Sequence, residues 1–506
     1  VFILLGGQTY VTIKLKIDKT RKEDTYMGAE LNKDKQVQAE PEVRKLPQAA
    51  EDKIADLQKS FTTGVGITPD TQLDAAALRR EYLEDEVKML TWDNSDFTIY
   101  PLIAKQQISN TVAKYAVFNQ HGRTGHSRFV SEIGVASIND PNIRQKTVQM
   151  KFISDTKQQS IAAGLVNNIS DPMTILTEDA ISVIAKSIEW AIFYGDASLS
   201  AESDQQSGIE FDGLHKLIDQ KTNIIDLKGQ SLSEAVLNKA AVIVGKGYGK
   251  ATDAFMPIGV QAEFTNNLLD RQRVIQPSNA GGFSTGFTIN QFLSARGAIN
   301  LHGSTIMEND NVLVENRLPQ ANAPLPVKTL KATVKAADKG GFTTEDKSLS
   351  YKVVVFSNEA ESVASDAVTA ALTDATSSVT LEIELQPIYQ AQPQFVVVYR
   401  QGAQTGHYFQ IARIPVAKAS DLNVITFVDR NEIIPETTDV FVGEMNQNVL
   451  SLLELMPMMR LPLAQMNATY TFSVLWYGAL ALYAPKKWVR IKNVKYIPAL
   501  AADVTL

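Results

Sequence analysis

Residues Thr111 to Asp196 set a long, polar, extended arm directly before an isolated amphipathic helix, and this order constrains the fold more than any other feature of the chain. Two β-type runs, Thr111 to Asn119 and Asn142 to Ser154, are rich in Val, Ile, Tyr, Phe and Thr and flank a charged, glycine-containing tip, His121 to Arg128. Two strands with charge on both faces cannot bury enough apolar surface on each other to be stable alone. The arm must lean on something else, which is the requirement of a building block rather than of a catalyst. In the helix that follows, Ile181, Ile184, Ala185, Ile188, Ala191 and Ile192 keep the three-four spacing of one buried stripe. Asp171-Pro172 breaks the preceding chain, Thr177 is the expected cap, Glu178 and Asp179 place negative charge at the positive end of the dipole, and Gly195 is the stop. The expected helix is therefore Thr177 to Tyr194.

With 506 residues the chain is too long for one ordinary core, and two to four domains are expected. Val1 to Ser60 mixes Lys, Glu, Asp and Gln with little periodicity and reads as a flexible or removable leader. Thr71 to Trp92 reads as a helix, with Arg80, Glu84 and Lys88 forming a four-residue ladder. A second helix is expected over Ser231 to Gly245, and a strand then a helix over Ala254 to Leu269, divided at Pro257. Beyond a proline-rich passage at Leu318 to Pro326 the hydrophobic period switches to two. Leu349, Tyr351, Val353 and Val355 alternate, as do Val379, Leu381, Ile383 and Leu385, and Phe395, Val397 and Tyr399. Adding short runs at Leu330 to Val334, Ala367 to Leu372, Tyr408 to Ile414 and Val424 to Val428 gives seven strands, the pattern of a small antiparallel sandwich. After Gly443 come a proline-interrupted apolar stretch, LSLLELMPMMRLPLAQ, then Phe472 to Ala484 as a buried strand or helix, and a final strand in which Val489 and Ile491 alternate with Arg490 and Lys492.

Chemistry-bearing patterns are sparse. The absence of cysteine removes disulfide frameworks, Cys-ligated zinc and thiol catalysis together. A net charge of -7 supplies no domain-wide basic field, so sequence-specific DNA binding is not expected. His121 and His126 share a loop tip and are weighed as solvated rather than metal-binding. The carboxylates Glu84, Asp85 and Glu86 lie beside Arg79, Arg80 and Lys88 and read as a salt-bridged face. GKGYGKAT at Gly245 to Thr252 invites a phosphate-loop interpretation, but Val244 stands where the first glycine of that loop is needed, leaving a glycine-rich turn. Lys486, Lys487, Arg490, Lys492 and Lys495 could face nucleic acid, although a solvated strand face or an acidic neighbour fits better. No hydrolase elbow, HExxH, dinucleotide fingerprint or calcium loop occurs, so no catalytic, cofactor or metal site is expected. The opening VFILLGG is too short to span a bilayer and lacks a basic flank, so no membrane partner is expected.

Several passages together resemble the major capsid proteins of large contractile-tailed bacteriophages of Gram-positive hosts. They are TGVGITPDTQLDAAALRREYLEDEVKMLTW, GHSRFVSEIGVASINDPNIRQKTVQMKFISDT, LTEDAISVIAKSIEWAIFYGDASL and LWYGALALYAPKKWVRIKNV. The resemblance implies an α+β fold of the Hong Kong 97 type carrying an inserted all-β, immunoglobulin- or fibronectin III-like sandwich. Its implied parts are a removable leader at 1–60, an N-terminal arm at 61–110, an extended loop at 111–152 and a peripheral domain at 153–230 with a spine helix at 177–194. An axial domain at 231–323, the insertion at 324–443 and a return at 444–506 complete it. It further implies self-assembly into hexamers and pentamers of an icosahedral shell, with portal, scaffold and prohead protease as partners. Double-stranded DNA is enclosed without sequence-specific binding, and the shell assembles in the host cytoplasm. Arg79, Arg80, Glu84, Arg123, His126, Arg128 and Arg144 become candidates for contacts between subunits. A protein nanocompartment of the same fold and a surface adhesin carrying the sandwich are the alternative functions.

Overall fold

The computed structural model describes residues 96–120, 131–135, 140–166, 171–198, 210–268, 289–307, 312–314, 323–343, 348–357, 360–386, 393–416, 424–465 and 468–496. The leader, the helix expected at Thr71 to Trp92 and the tip His121 to Arg128 lie outside them. The first elements are β1 (Ala104–Gln107), β2 (Val112–Gln120), β3 (Asn142–Gln149), β4 (Lys151–Ser160), α1 (Ile161–Leu165), α2 (Pro172–Tyr194) and α3 (Leu214–Leu217). They are followed by β5 (Ile224–Asp226), α4 (Glu234–Lys246), β6 (Asp253–Pro257), α5 (Ile258–Leu268), β7 (Gln291–Ser294) and β8 (Gly297–Ser304). Seven strands come next: β9 (Thr329–Lys335), β10 (Ser348–Phe356), β11 (Val368–Ala371), β12 (Ser378–Glu384), β13 (Phe395–Gln401), β14 (Tyr408–Pro415) and β15 (Val424–Asp429). The chain closes with β16 (Thr437–Gly443), β17 (Leu450–Pro462), β18 (Thr469–Leu482) and β19 (Trp488–Lys495).

Helix α2 begins five residues before the expected Thr177. The Asp171 carboxylate accepts from Met173 N at 3.2 Å, and Pro172 occupies the first helical position, where its missing N–H leaves no orphan donor. Asp171-Pro172 is thus a start signal and not a break, while Thr177 turns its hydroxyl back to Met173 O at 2.7 Å. Gly195 ends the helix as expected, donating to Ala191 O. A Cβ at Gly195 would stand 2.4 Å from Phe211 O, so the returning chain approaches too closely for any side chain. Ala180, Ile184, Ala185, Ile188, Ala191 and Ile192 are buried, whereas Ile181, expected in the stripe, is 42% exposed.

The stripe packs on a four-stranded sheet in the order β1-β17-β18-β4, in one core with Leu452, Phe472, Val474 and Trp476. Each such buried large apolar side chain contributes about 1.5–3 kcal/mol relative to exposure. The run expected as one strand over Asn142 to Ser154 divides at buried Met150, whose N–H bonds Thr111 O. Upstream, β3 pairs with β2; downstream, β4 pairs with β18 along its whole length. The stretch from Leu450 is a continuous strand despite Pro457, because the register with β18 shifts between Met456 and Met459, where the proline falls. Phe472 to Ala484 is mostly β18, a strand and not a helix.

A six-stranded sheet, in the order β5-β19-β16-β6-β8-β7, builds a second core with α4 and α5. Its strands come from both sides of the expected boundaries at 231 and 444. β5 pairs with β19 (Ile225 opposite Ile491) although it precedes 231, and β16 pairs with β19 and β6 although it precedes 444. Buried Val440 and Val442 pack in this core, so β16 belongs with the six-stranded sheet.

The seven strands β9 to β15 form two sheets, β11-β10-β13-β14 and β15-β12-β9, around a shared core that includes Tyr351, Val353, Val355, Val379, Leu381, Ile383, Val396, Val398 and Ile411. Val397 and Tyr399, read as one alternating set, join Leu313, Val354 and Tyr408 in a separate cluster on the other side of the sheet. Both faces of β13 are covered, which explains its unbroken FVVVY. A buried polar network crosses this domain: Asp429 accepts from Arg400 at 2.5 Å and from the Tyr351 hydroxyl at 2.9 Å.

Candidate assembly surfaces

The β2–β3 hairpin is anchored at its base and exposed beyond it. Ala113, Tyr115 and Val148 rest on the main core, and Tyr115 meets Tyr483 edge-on at 4.7 Å. Burial, with Tyr483 beside it, pushes the Tyr115 hydroxyl up to about 12. Further out, Asn142 to Thr147 are all exposed, including Ile143 at 58%, and Arg144 stands opposite Val117. Of the seven residues expected at subunit contacts, Arg144 alone is described, on this exposed strand. Arg79, Arg80, Glu84, Arg123, His126 and Arg128 lie outside the described residues.

A second exposed surface occupies the far end of the β17–β18–β4 sheet. Met459, Leu461, Leu463 and Tyr470 are 40–44% exposed there. Ile161 N bonds Ala468 O, which brings α1 to the same end with Leu165 82% and Val166 63% exposed. Apolar residues grouped this way mark a contact surface. Sequence reasoning found LSLLELMPMMRLPLAQ apolar but had no signal for which half stays uncovered.

Several charged groups elsewhere are matched within the chain. The Asp439 carboxylate takes Arg490 at 2.8 Å and His215 Nδ1 at 3.1 Å. Burial pushes this carboxyl up, but the neighbouring Arg490 and His215 outweigh it and hold the group below the usual carboxylate range. Lys487 pairs with Glu444 at 3.1 Å and Lys492 with Asp226 at 3.3 Å, so three of the five basic residues near the C-terminal end meet acidic partners of the same chain. Within GKGYGKAT, Gly247 caps the C-terminal end of α4 and Arg296 donates to Gly245 O at 2.9 Å. A Cβ at Gly247 would come within 2.3 Å of Lys486 O, so the glycines serve a tight helix-ending turn. Inside α2, the fully buried carboxylate of Glu189 accepts from Thr98 N at 2.8 Å and Thr98 Oγ1 at 2.7 Å, with Ile99 N and Tyr100 N at 3.4 Å. Burial raises its pKa in spite of these donors. Among the described residues no group of three or more His, Asp and Glu is placed to hold a metal ion, and no helix is long and apolar enough to cross a membrane.

These surfaces describe a subunit with exposed contact faces, and comparison with known proteins gives its family. The sequence is 59% identical over 441 residues to the putative major capsid protein of Enterococcus phage phiEF24C, covering 87% of this chain and 94% of that protein. It is 58% identical over 444 residues to the major capsid protein of Staphylococcus phage K, covering 87% and 95%. The chain belongs to the phage major capsid proteins. The profile of the SU10 major capsid protein family matches residues 131–345 of this capsid protein, from the hairpin into the first part of the sandwich. Its likeness to the solved capsid of Myoviridae Phage XM1 is slight, with a TM-score of 0.40 and 9% identity over 84% of this chain and 100% of that one. As a capsid protein it is a structural component of the virion and not an enzyme.

Proposed function

We propose that this capsid protein builds its shell in the Hong Kong 97 manner, as hexamers and pentamers of an icosahedral head around double-stranded DNA. In this reading the β2–β3 hairpin is the extended loop that lies over a neighbouring subunit. α2 is the spine helix of the peripheral domain, the six-stranded sheet with α4 and α5 is the axial domain, and β9 to β15 are an immunoglobulin-like insertion on the outer surface. Portal, scaffold and a prohead protease acting on the leader complete the partners. The observation that carries the reading is the hairpin: among the described residues it rests on the main core at Ala113, Tyr115 and Val148, and Asn142 to Thr147 beyond them are exposed. Each contact needs only modest energy, because closure of the shell multiplies it. DNA is enclosed rather than read, in keeping with the net charge of -7 and the intrachain pairing of Lys487, Arg490 and Lys492.

Deletion of residues 120–128 tests it. The variant is expected to give a folded subunit, with the wild-type far-ultraviolet circular dichroism, that fails to form stable shells in negative-stain images. Wild-type particles from the deletion variant refute the assignment of the hairpin.

A further inference from the structure

The inserted sandwich meets the rest of the chain along a seam that is not fully packed. A cavity of about 380 Å³ opens there between the C-terminal end of α2, strands β14 and β15, and strands β16 and β19. This volume lies within the ~300–1,000 Å³ of small-molecule sites. Trp190, Ile411 and Phe427 give it an apolar wall, and Arg413 and Thr438 line it as well. The Arg413 side chain is 14% exposed, and its guanidinium lies 4.8 Å from the Trp190 ring and 4.6 Å from the Phe395 ring. Its carboxylate partner, Glu210, stands at 3.5 Å from Nη2. Nη1 is buried without a hydrogen-bond partner, and so is the Thr438 hydroxyl.

None of the four acids of the cavity wall, Asp196, Asp429, Glu432 and Asp439, bonds that nitrogen, and three of them are paired elsewhere. Asp196 is paired with Lys216 at 2.7 Å, Asp439 with Arg490 at 2.8 Å and Asp429 with Arg400 at 2.5 Å. A buried donor of a charged group is costly to leave unmatched. An acceptor that is itself negative matches it best, and a planar carboxylate suits the guanidinium fork. The aromatic and aliphatic wall beside it calls for an apolar body on the same molecule.

We propose that this cavity is a binding site for a small organic carboxylate, with its apolar body against Trp190, Ile411 and Phe427 and its carboxylate against the guanidinium of Arg413. Arg413 comes from the sandwich and Trp190 from α2, so the bound molecule braces the insertion against the helix that carries the main core.

Thermal melting of the full chain with benzoate or with benzamide, at matched ionic strength and millimolar concentration, tests the site. Benzoate is expected to raise Tm by about 1–2 °C, and both benzamide on the wild type and benzoate on R413Q are expected to leave it unchanged. An equal shift by benzamide, or by benzoate on R413Q, overturns the proposal in favour of unspecific partitioning. Should R413Q fail to fold, fluorine NMR of 4-fluorobenzoate with the wild-type chain decides: selective line broadening that excess benzoate reverses supports the site. Absence of broadening shows that the cavity holds water only.

Discussion

Glu436 fastens the sandwich to the rest of the subunit, and its replacement has a calculable signature. Its side chain reaches the turn between β13 and β14, accepting from Gln404 N at 3.0 Å, Thr405 N at 2.6 Å and Thr405 Oγ1 at 2.8 Å. Its own carbonyl accepts from Tyr496 N, beyond the end of β19, at 2.9 Å. Each bond to a charged acceptor is worth about 1.5–3 kcal/mol, so the three together amount to roughly 5–9 kcal/mol before water replaces the lost partner. Water can enter once the side chain is gone, which leaves about 3–4 kcal/mol as the expected cost of Glu436→Ala. Glu436 also holds a left-handed backbone, φ 59°, where a Cβ costs about 1 kcal/mol or more. Glu436→Gly loses the same bonds but recovers that strain. The glycine variant should therefore be the more stable of the two by about 1 kcal/mol, the reverse of the usual order of alanine and glycine. Amide exchange in a peptide spanning residues 402–406 reads this locally: about 100- to 1,000-fold faster for alanine, and about five- to tenfold slower for glycine than for alanine. Equal exchange in the two variants, or unchanged protection in alanine, refutes the clamp.

Two further outcomes are expected. The pKa of Glu189 is raised by burial, so the folded state holds its proton more tightly than the unfolded chain does; the contribution is full below the ordinary carboxylate value and is lost as pH rises through the raised one. Urea melts across that window should show wild-type stability falling with pH and Glu189→Gln removing that part of the slope, and an unchanged slope would exclude Glu189 as its source. Asp171→Ala removes the cap of α2 and should cost about 1 kcal/mol in the same melts, whereas Thr177→Ala, within the helix, should cost less.

Much of this architecture is visible in local pattern, because local pattern reports what a single element must bury. The stripe on α2, apart from Ile181, the sequence of α4, β6 and α5, and the period of two in β10 and β12 reappear in the structure, and the apolar residues of the stripe, β10 and β12 lie inside. What escapes local pattern depends on distant partners. Met150 looks like one more apolar strand residue, yet its bond to Thr111 O separates a strand paired in the hairpin from one paired in the main sheet. Pro457 argues against a strand until the shifted register with β18 accommodates it. Val397 and Val398 are indistinguishable in sequence, and only the segment at Leu313 explains why β13 is apolar on both sides. The stacking of Arg413 on Trp190 joins two segments far apart in the chain and leaves no mark in either.

The surfaces left for assembly are the hardest to see, and β17 shows why. From Leu450 to Leu461 the strand carries leucine or methionine at most positions, so its composition hardly changes along its length. Leu450, Leu452 and Leu453 are nevertheless buried, whereas Met459 and Leu461 are more than two-fifths exposed. An exposed strand end of a self-sufficient protein would be expected to turn polar, since apolar side chains there gain nothing from the fold and invite aggregation. Persistence of the apolar pattern beyond the point where the subunit covers it is what repeated association requires. For a capsid protein, whose copies associate in a shell, the same apolar pattern therefore runs through a half buried on folding and a half left exposed on the subunit, and composition alone does not separate the two.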